Sequence, residues 1–387
     1  MARILLAYML LLLPSVARAD DLEDGEEALM EQEYARAITS FTAFIKENPR
    51  SSKGFIGRGV AYSRKKEHDK AIKDFSEAIR LDPKNGVAHF VRGDAYDDKK
   101  EYDKAIADFS EAIRLEPKYA KAFIGRGIAQ SNKKKYGKAI EDFSEAIRLE
   151  PEHVGSYMRR GFVYGLEKEY DKAVKDFSEA IRLEPENPNA YYLRGNVYDD
   201  KKEYDKAIED FSEAIRLDPK YARAFIGRGV AQSNKKKYDK AIEDYSEAIR
   251  LQPKNVEAFI SRGIAYTKKK EYEKTAKDYA EAIRLEPKNP RGYDSLGWLL
   301  ATCPKDGIRN GKKAVEYATK ACELTEWKVG FSLDNLAAAN AESGNFKEAV
   351  RRQEEAIKLG FADEEIMKGA RERLALYKAG KPYRGDW

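Results

Sequence analysis

The sequence predicts an all-α fold, a solenoid of antiparallel helix pairs, on three observations. Prolines recur at Pro49, Pro83, Pro117, Pro151, Pro185, Pro219, Pro253 and Pro287, always 34 residues apart. A fixed period of that size marks a repeat array. Within one period, Ala105, Ile106, Phe109, Ala112 and Ile113 share one helical face, and Phe123, Gly127 and Gln130 do the same in the segment that follows. The composition agrees: among 387 residues, 72 Lys and Arg nearly balance 67 Asp and Glu, while 42% hydrophobic content is too high for a disordered polyampholyte. Low Pro and Gly exclude collagen-like chains, and two cysteines cannot staple a disulfide scaffold.

Residues 1–19 read as a secretory signal peptide. Ile4 to Leu13 is an apolar run of ten, and Ala17-Arg18-Ala19 is a small-x-small cleavage signal. That run is about half of what a membrane span needs. Export to a bacterial periplasm or to the outside is therefore expected, and with it an oxidising compartment. Residues 20–51 form a partial unit that caps the array, fitting the register through Gly25, Ala37, Phe41 and Pro49. Residues 52–289 are seven regular repeats, counted 1 to 34 with proline at position 32. In each, helix A is followed by helix B, and proline ends helix B because it lacks an amide donor and restricts the residue before it. Asn187-Pro188 and Asn289-Pro290 supply an N-cap and first-turn proline for the next helix A.

Residues 290–361 are two degenerate repeats. In the eighth, Ala314 lies 17 residues after Gly297 instead of 12, so Pro304 to Asn310 holds a five-residue insertion. The ninth is legible in Leu336, Ala337, Gly344, Phe346, Ala349 and Ala356. Residues 362–387 read as a capping helix, from about Ala362 to Tyr377, and a polar tail ending at Trp387.

With large residues at positions 4, 11 and 24 (Phe55, Tyr62, Phe75) and small ones at 8, 20 and 27 (Gly59, Ala71, Ala78), the units resemble tetratricopeptide repeats. The C-terminal phrasing resembles that of other bacterial exported members. The resemblance implies a right-handed superhelix whose concave wall is built from helix A, and a role in binding proteins. Gly at 8 and Ala at 20 are expected where the two helices cross, so Thr275 at position 20 of repeat seven predicts looser packing there.

Two patterns go beyond the family. Position 7 is Arg58, Arg92, Arg126, Arg160, Arg194, Arg228 and Arg262, while position 23 is Asp74, Asp108, Asp142, Asp176, Asp210, Asp244 and Asp278. Both series stop together, at Leu296 and Tyr317 in repeat eight and at Asp24 and Ser40 in the cap. This covariation predicts an Arg–Asp bridge between helices A and B, against the alternative of two separately solvated charges. Further, GDAYDDKKEYDKAIADFSEAIRLEPKYAKAFIGRGIAQSNKKK from Gly93 recurs nearly unchanged 102 residues later, from Gly195. Such a duplication offers either two similar binding surfaces or array growth without two sites.

The family's groove positions are 2, 5, 9, 12 and 13, and here they are unusually apolar. Position 5 is Ile56, Phe90, Ile124, Met158, Tyr192, Ile226 and Ile260; position 9 is Val60, Asp94, Ile128, Phe162, Asn196, Val230 and Ile264. Acidic pairs Asp97-Asp98 and Asp199-Asp200 stand at 12 and 13. Since positions 4, 8 and 11 already supply the packing face, this second stripe is either a groove for a peptide with apolar and basic anchors or packing between neighbouring A helices. Position 5 is never Lys, which departs from the family's carboxylate clamps for chaperone tails. Lysine pairs such as Lys99-Lys100 at positions 14 and 15 form a rim that could hold a polyanion or envelope polymer, or be a solvated turn.

No chemistry of another kind stands out. His68, His89 and His153 are scattered, so no metal or other cofactor is expected. Cys303 and Cys322 fall far apart on one hairpin and are expected to be unbridged thiols. The expectation is a non-catalytic scaffold or adaptor taking a protein or peptide segment, with no nucleic-acid partner and a place in an envelope complex open to it.

Overall fold

The computed structural model describes residues 17–361 and 363–385. The apolar leader run lies outside the described residues, as does Trp387. No helix among the described residues is long and apolar enough to cross a membrane, and their regular structure is entirely helical.

The chain divides into two compact units. In the first, which ends at Pro185, the pair Ala17–Met30 and Tyr34–Glu47 leads into four more pairs, from Ser52–Arg64 with His68–Leu81 to Val154–Leu166 with Tyr170–Leu183. Each hairpin packs on the next. The second unit, from Glu186, runs from Pro188–Asp200 with Tyr204–Leu217 to Gly330–Glu342 with Phe346–Leu359, and a single helix, Glu364–Lys378, follows. In every regular repeat helix A spans positions 1 to 13 and helix B positions 17 to 30.

The core of each hairpin is the ring at position 24. Phe143 is 1% exposed, and an added Cβ at Gly127, position 8 of the same repeat, would come within 2.7 Å of it. Gly125 at position 6 approaches Phe109 of the preceding repeat equally closely, at 2.7 Å. Glycine is therefore needed where a ring is wedged between successive A helices, not only where A crosses B. Ala139 and Ala146, at positions 20 and 27, are fully buried beside that ring.

The A–B turn needs one left-handed residue, and it falls at position 15. There Lys66, Lys100, Lys134, Lys168, Lys202, Lys236 and Lys270 all have φ near +60°. Gly344 takes the same place in repeat nine. As expected, Asn187 and Asn289 cap the helices that start at Pro188 and Pro290, accepting from the amides of Asn189 and Arg291.

Two expectations are corrected, and the expected insertion between the helices of repeat eight is present. Thr275 does not loosen repeat seven: it is fully buried, and its hydroxyl meets Thr267 Oγ1 at 3.2 Å and the Gly263 carbonyl at 3.3 Å. A partner hydroxyl at position 12 satisfies the polar group that burial would otherwise penalise. The insertion contains a short 3-10 turn, Asp306–Ile308. Arg309 pins it by donating to the Cys303 carbonyl at 2.7 Å and to Glu342 at 2.9 Å. Finally, residues 381–385 are not a free polar tail, since Tyr383 packs against the core of repeats eight and nine.

Candidate partner-binding face

The rotation of each A helix is set by the predicted bridge, which is present in all seven regular repeats. Arg126 shows the geometry: Nε donates to Asp142 Oδ2 at 2.9 Å and Nη2 to Oδ1 at 2.7 Å. Such a two-pronged contact fixes orientation as well as distance. The third donor went unforeseen. Arg126 Nη1 reaches Ser110 Oγ of the preceding repeat at 3.1 Å, and Arg92, Arg160, Arg228 and Arg262 do the same with Ser76, Ser144, Ser212 and Ser246. One guanidinium thus ties three helices. The signal was available in the serine that recurs after the position-24 ring; its hydroxyl donates to the carbonyl four residues earlier, as Ser110 does to Ile106 at 2.7 Å, and accepts from the arginine of the next repeat. In the cap the polarity inverts, Asp24 on the first helix accepting from Arg36 and Ser40 on the second.

These bridges are deeper than half-exposed surface pairs. Asp142 is 4% exposed. Burial pushes its carboxyl above the usual range and Arg126 pulls it back, the first effect being larger.

With the helix fixed, the side chains at positions 5, 9, 12 and 13 project together, but they do not all remain open. Two of the expected groove residues are core: Ile260, 2% exposed, packs in one cluster with Phe259, Tyr279 and Leu296, and Ile226 packs with Phe225 and Tyr245. The next hairpin packs against position 5 there and takes most of its surface. Ile56, Ile124 and Met158 are half-buried. Phe90 is stacked 5.1 Å from Tyr119 and 5.7 Å from Phe109, and Tyr192 matches it against Tyr221 at 5.1 Å. The sequence carried this too: an aromatic residue stands at position 5 only in the two repeats that end in tyrosine.

Position 9 behaves differently. Phe162 is 52% exposed and Ile264 48%. Asp94 is exposed, and Val60, Ile128, Asn196 and Val230 are half-buried. In the first unit, Val60, Phe90, Asp94 and Asp98 line a cleft of about 400 Å³ together with Arg64 and His68. In the second, Tyr192, Asn196, Asp199, Ile226 and Val230 line one of about 520 Å³ with Arg223 and Glu257. Asp200 is exposed beside Asp199.

The acidic groups in these clefts are crowded. Desolvation and the neighbouring Asp98 raise the Asp94 carboxyl, and desolvation with Asp94 and Asp98 raises Asp97. Asp97 Oδ1 is buried without a hydrogen-bond partner. Asp199 is raised by burial, and Asn234 reaches it at 3.4 Å. Carboxylates that disfavour one another's charge gain from an incoming cation.

The first lysines of the rim are mostly paired. Lys99 pairs with Asp69 of the preceding repeat at 2.7 Å, and Lys133, Lys235 and Lys269 pair likewise with Asp103, Asp205 and Asp239. The two cysteines are free and buried, as expected from their spacing.

Helix hairpins of fixed period, stacked in succession within each unit, define a repeat solenoid. The family model described as "Tetratricopeptide repeat" matches residues 52–85, 86–119, 120–153, 188–221 and 222–255, a second model of that description matches 256–289, and one described as "TPR repeat" matches 166–202. The chain belongs to the tetratricopeptide repeat family, whose arrays are typically non-catalytic protein-interaction scaffolds. Among solved structures it is similar to yeast Tom70, at 18% identity over 94% of this chain and 96% of that one, with a TM-score of 0.51. It is also similar to MamA, at 26% identity over 42% of this chain and 95% of that one, TM-score 0.39. A third likeness is to YrrB, described as a TPR protein with an unusual peptide-binding site, at 23% identity over 48% and 95%, TM-score 0.40. No match is found among curated protein sequences.

Proposed function

We propose that this protein is an exported adaptor that holds an extended or helical protein segment against its A helices, through apolar contacts at position 9 and a basic residue of the partner at the acidic pairs. The observation that carries the reading is the exposure of Phe162, a large ring 52% open on the A-helix face, with Ile264 at the same position of repeat seven 48% open. Exposed apolar surface flanked by charge is characteristic of interaction faces. The crowding of Asp94, Asp97 and Asp98 and the burial of Asp199 support a basic partner residue at these clefts.

Export rests on the leader sequence, and its check is the mass of the protein isolated from its native host. A chain beginning at Asp20 in the envelope fraction is expected; retention of Met1 in the cytoplasm would sink it. For the binding face, the native-host protein is crosslinked and co-purified as wild type and as a Phe162→Ala/Tyr192→Ala variant. The variant should keep its helical content and lose the bound segment; the same partner recovered equally with both would refute this face.

A further inference from the structure

The chain does not leave the molecule after Lys378. Residues 381–385 have no regular secondary structure and run back along the A helices of repeats eight and nine. The Tyr383 ring lies 5.9 Å from that of Trp298. Arg384 Nη1 is 2.6 Å from Glu342 Oε2, and the Gly385 amide donates to the Thr302 carbonyl at 2.9 Å. In the 34-residue count, Trp298 stands at position 9 and Thr302 and Glu342 at position 13, the slots that Phe162 and Asp98 hold in the regular repeats.

The slot around the phenol is built. Arg373, whose Nη2 lies 2.8 Å from Asp334 at position 5 of repeat nine, places its guanidinium 5.4 Å from the Trp298 ring centre and 5.5 Å from that of Tyr383. Glu342, only 13% exposed at its side chain, already pairs with Arg309 through its other oxygen, and Arg384 supplies the second cation. The Trp298 ring, the Arg373 guanidinium and the Thr302 carbonyl thus hold an extended segment by a main-chain bond and a side-chain slot, the two kinds of contact by which peptide grooves work.

We propose that the A-helix face of repeats eight and nine is a segment-binding site closed by the chain's own tail, and that a partner strand carrying an aromatic residue followed by arginine takes the tail's place. This extends the reading of the A helices as a binding face to repeats where the chain itself displays a bound segment. The tail competes at an effective concentration on the order of millimolar because it is tethered. The site therefore opens only to a segment of matching chemistry and higher affinity, or when the tail is released.

The test uses the full chain and a labelled, end-capped heptapeptide matching residues 379–385, followed by fluorescence anisotropy. Wild type should bind it weakly; a Tyr383→Ser/Arg384→Ser variant should bind at least about ten-fold tighter, the gain expected from removing a tethered competitor. Adding Trp298→Ala to that variant should abolish binding, whereas adding Phe162→Ala should leave it unchanged, so this inference and the function proposed above fail separately. Hydrogen exchange at the Gly385 amide should be slow in wild type and fast in the tail variant. If the double change lowers helical content, Arg384→Gln alone replaces it. Equal binding by wild type and tail variant, no binding to the tail variant, or equal binding of a peptide lacking the tyrosine and arginine would each overturn the proposal.

Discussion

Asp142 is the residue on which a hairpin's energetics can be read most directly. Its carboxylate is buried, its charge disfavoured by desolvation and only partly restored by Arg126. Asp142→Ala leaves the partly exposed Arg126 without its charged hydrogen-bond acceptor and should lose about 1.5–3 kcal/mol in urea unfolding. Removing both charges, with Arg126→Leu/Asp142→Leu, should recover most of that loss, and a double variant no better than the single would show that the pair stabilises by itself. Asp294 is the second such residue. Burial pushes it up to about 6, against the opposing hydrogen bonds from Ser332 and Asn335. The folded state then holds the proton more tightly than the unfolded chain. This group's contribution is most favourable below about pH 4, falls as pH rises to about 6 and is level beyond, a span of order 2–3 kcal/mol. Asp294→Asn should flatten the melting temperature across that window relative to wild type, and an unchanged slope would remove the assignment.

Among the elements, the A–B turn is where local chemistry and fold disagree. A left-handed backbone suits glycine, which has no Cβ to clash, yet seven repeats use lysine there. Lys134→Gly should therefore stabilise by about 1 kcal/mol in urea unfolding. Lys133→Gly, one residue earlier, has a right-handed backbone and loses the Asp103 pair, so it should not stabilise. This conformation was not legible in a Lys-Lys dipeptide, because only the closing of the hairpin forces it. The helices themselves were legible to within a residue or two, since apolar spacing, Asn-Pro starts and Leu-x-Pro stops are local signals.

For the molecule as a whole, the two candidate modes of binding separate by salt. A rim that tracks six to ten phosphates would lose about 10³–10⁵ in affinity between roughly 50 and 200 mM salt. Because most first lysines of the pairs already face aspartates of the preceding repeat, partner capture should change by less than about ten-fold over that range, measured by pull-down with the native partner. A steep salt dependence would return the rim to first place. The duplicated block repeats the same A-helix pattern in the two units, but position 9 has diverged from Asp94 to Asn196.

The sequence by itself determined the repeat, its register, the helix boundaries, the Arg–Asp pairing and the family, because each is written in residues whose spacing or covariation recurs within a few turns of the same chain. The open share of the A-helix stripe was decided only by tertiary structure. Ile260 and Ile264 are equally apolar and one helical turn apart, yet one is sealed by the next hairpin and the other is half open. Burial is a property of what stacks on a residue, and a polar-looking tail that folds back onto Trp298 depends on a surface assembled from helices far away in sequence.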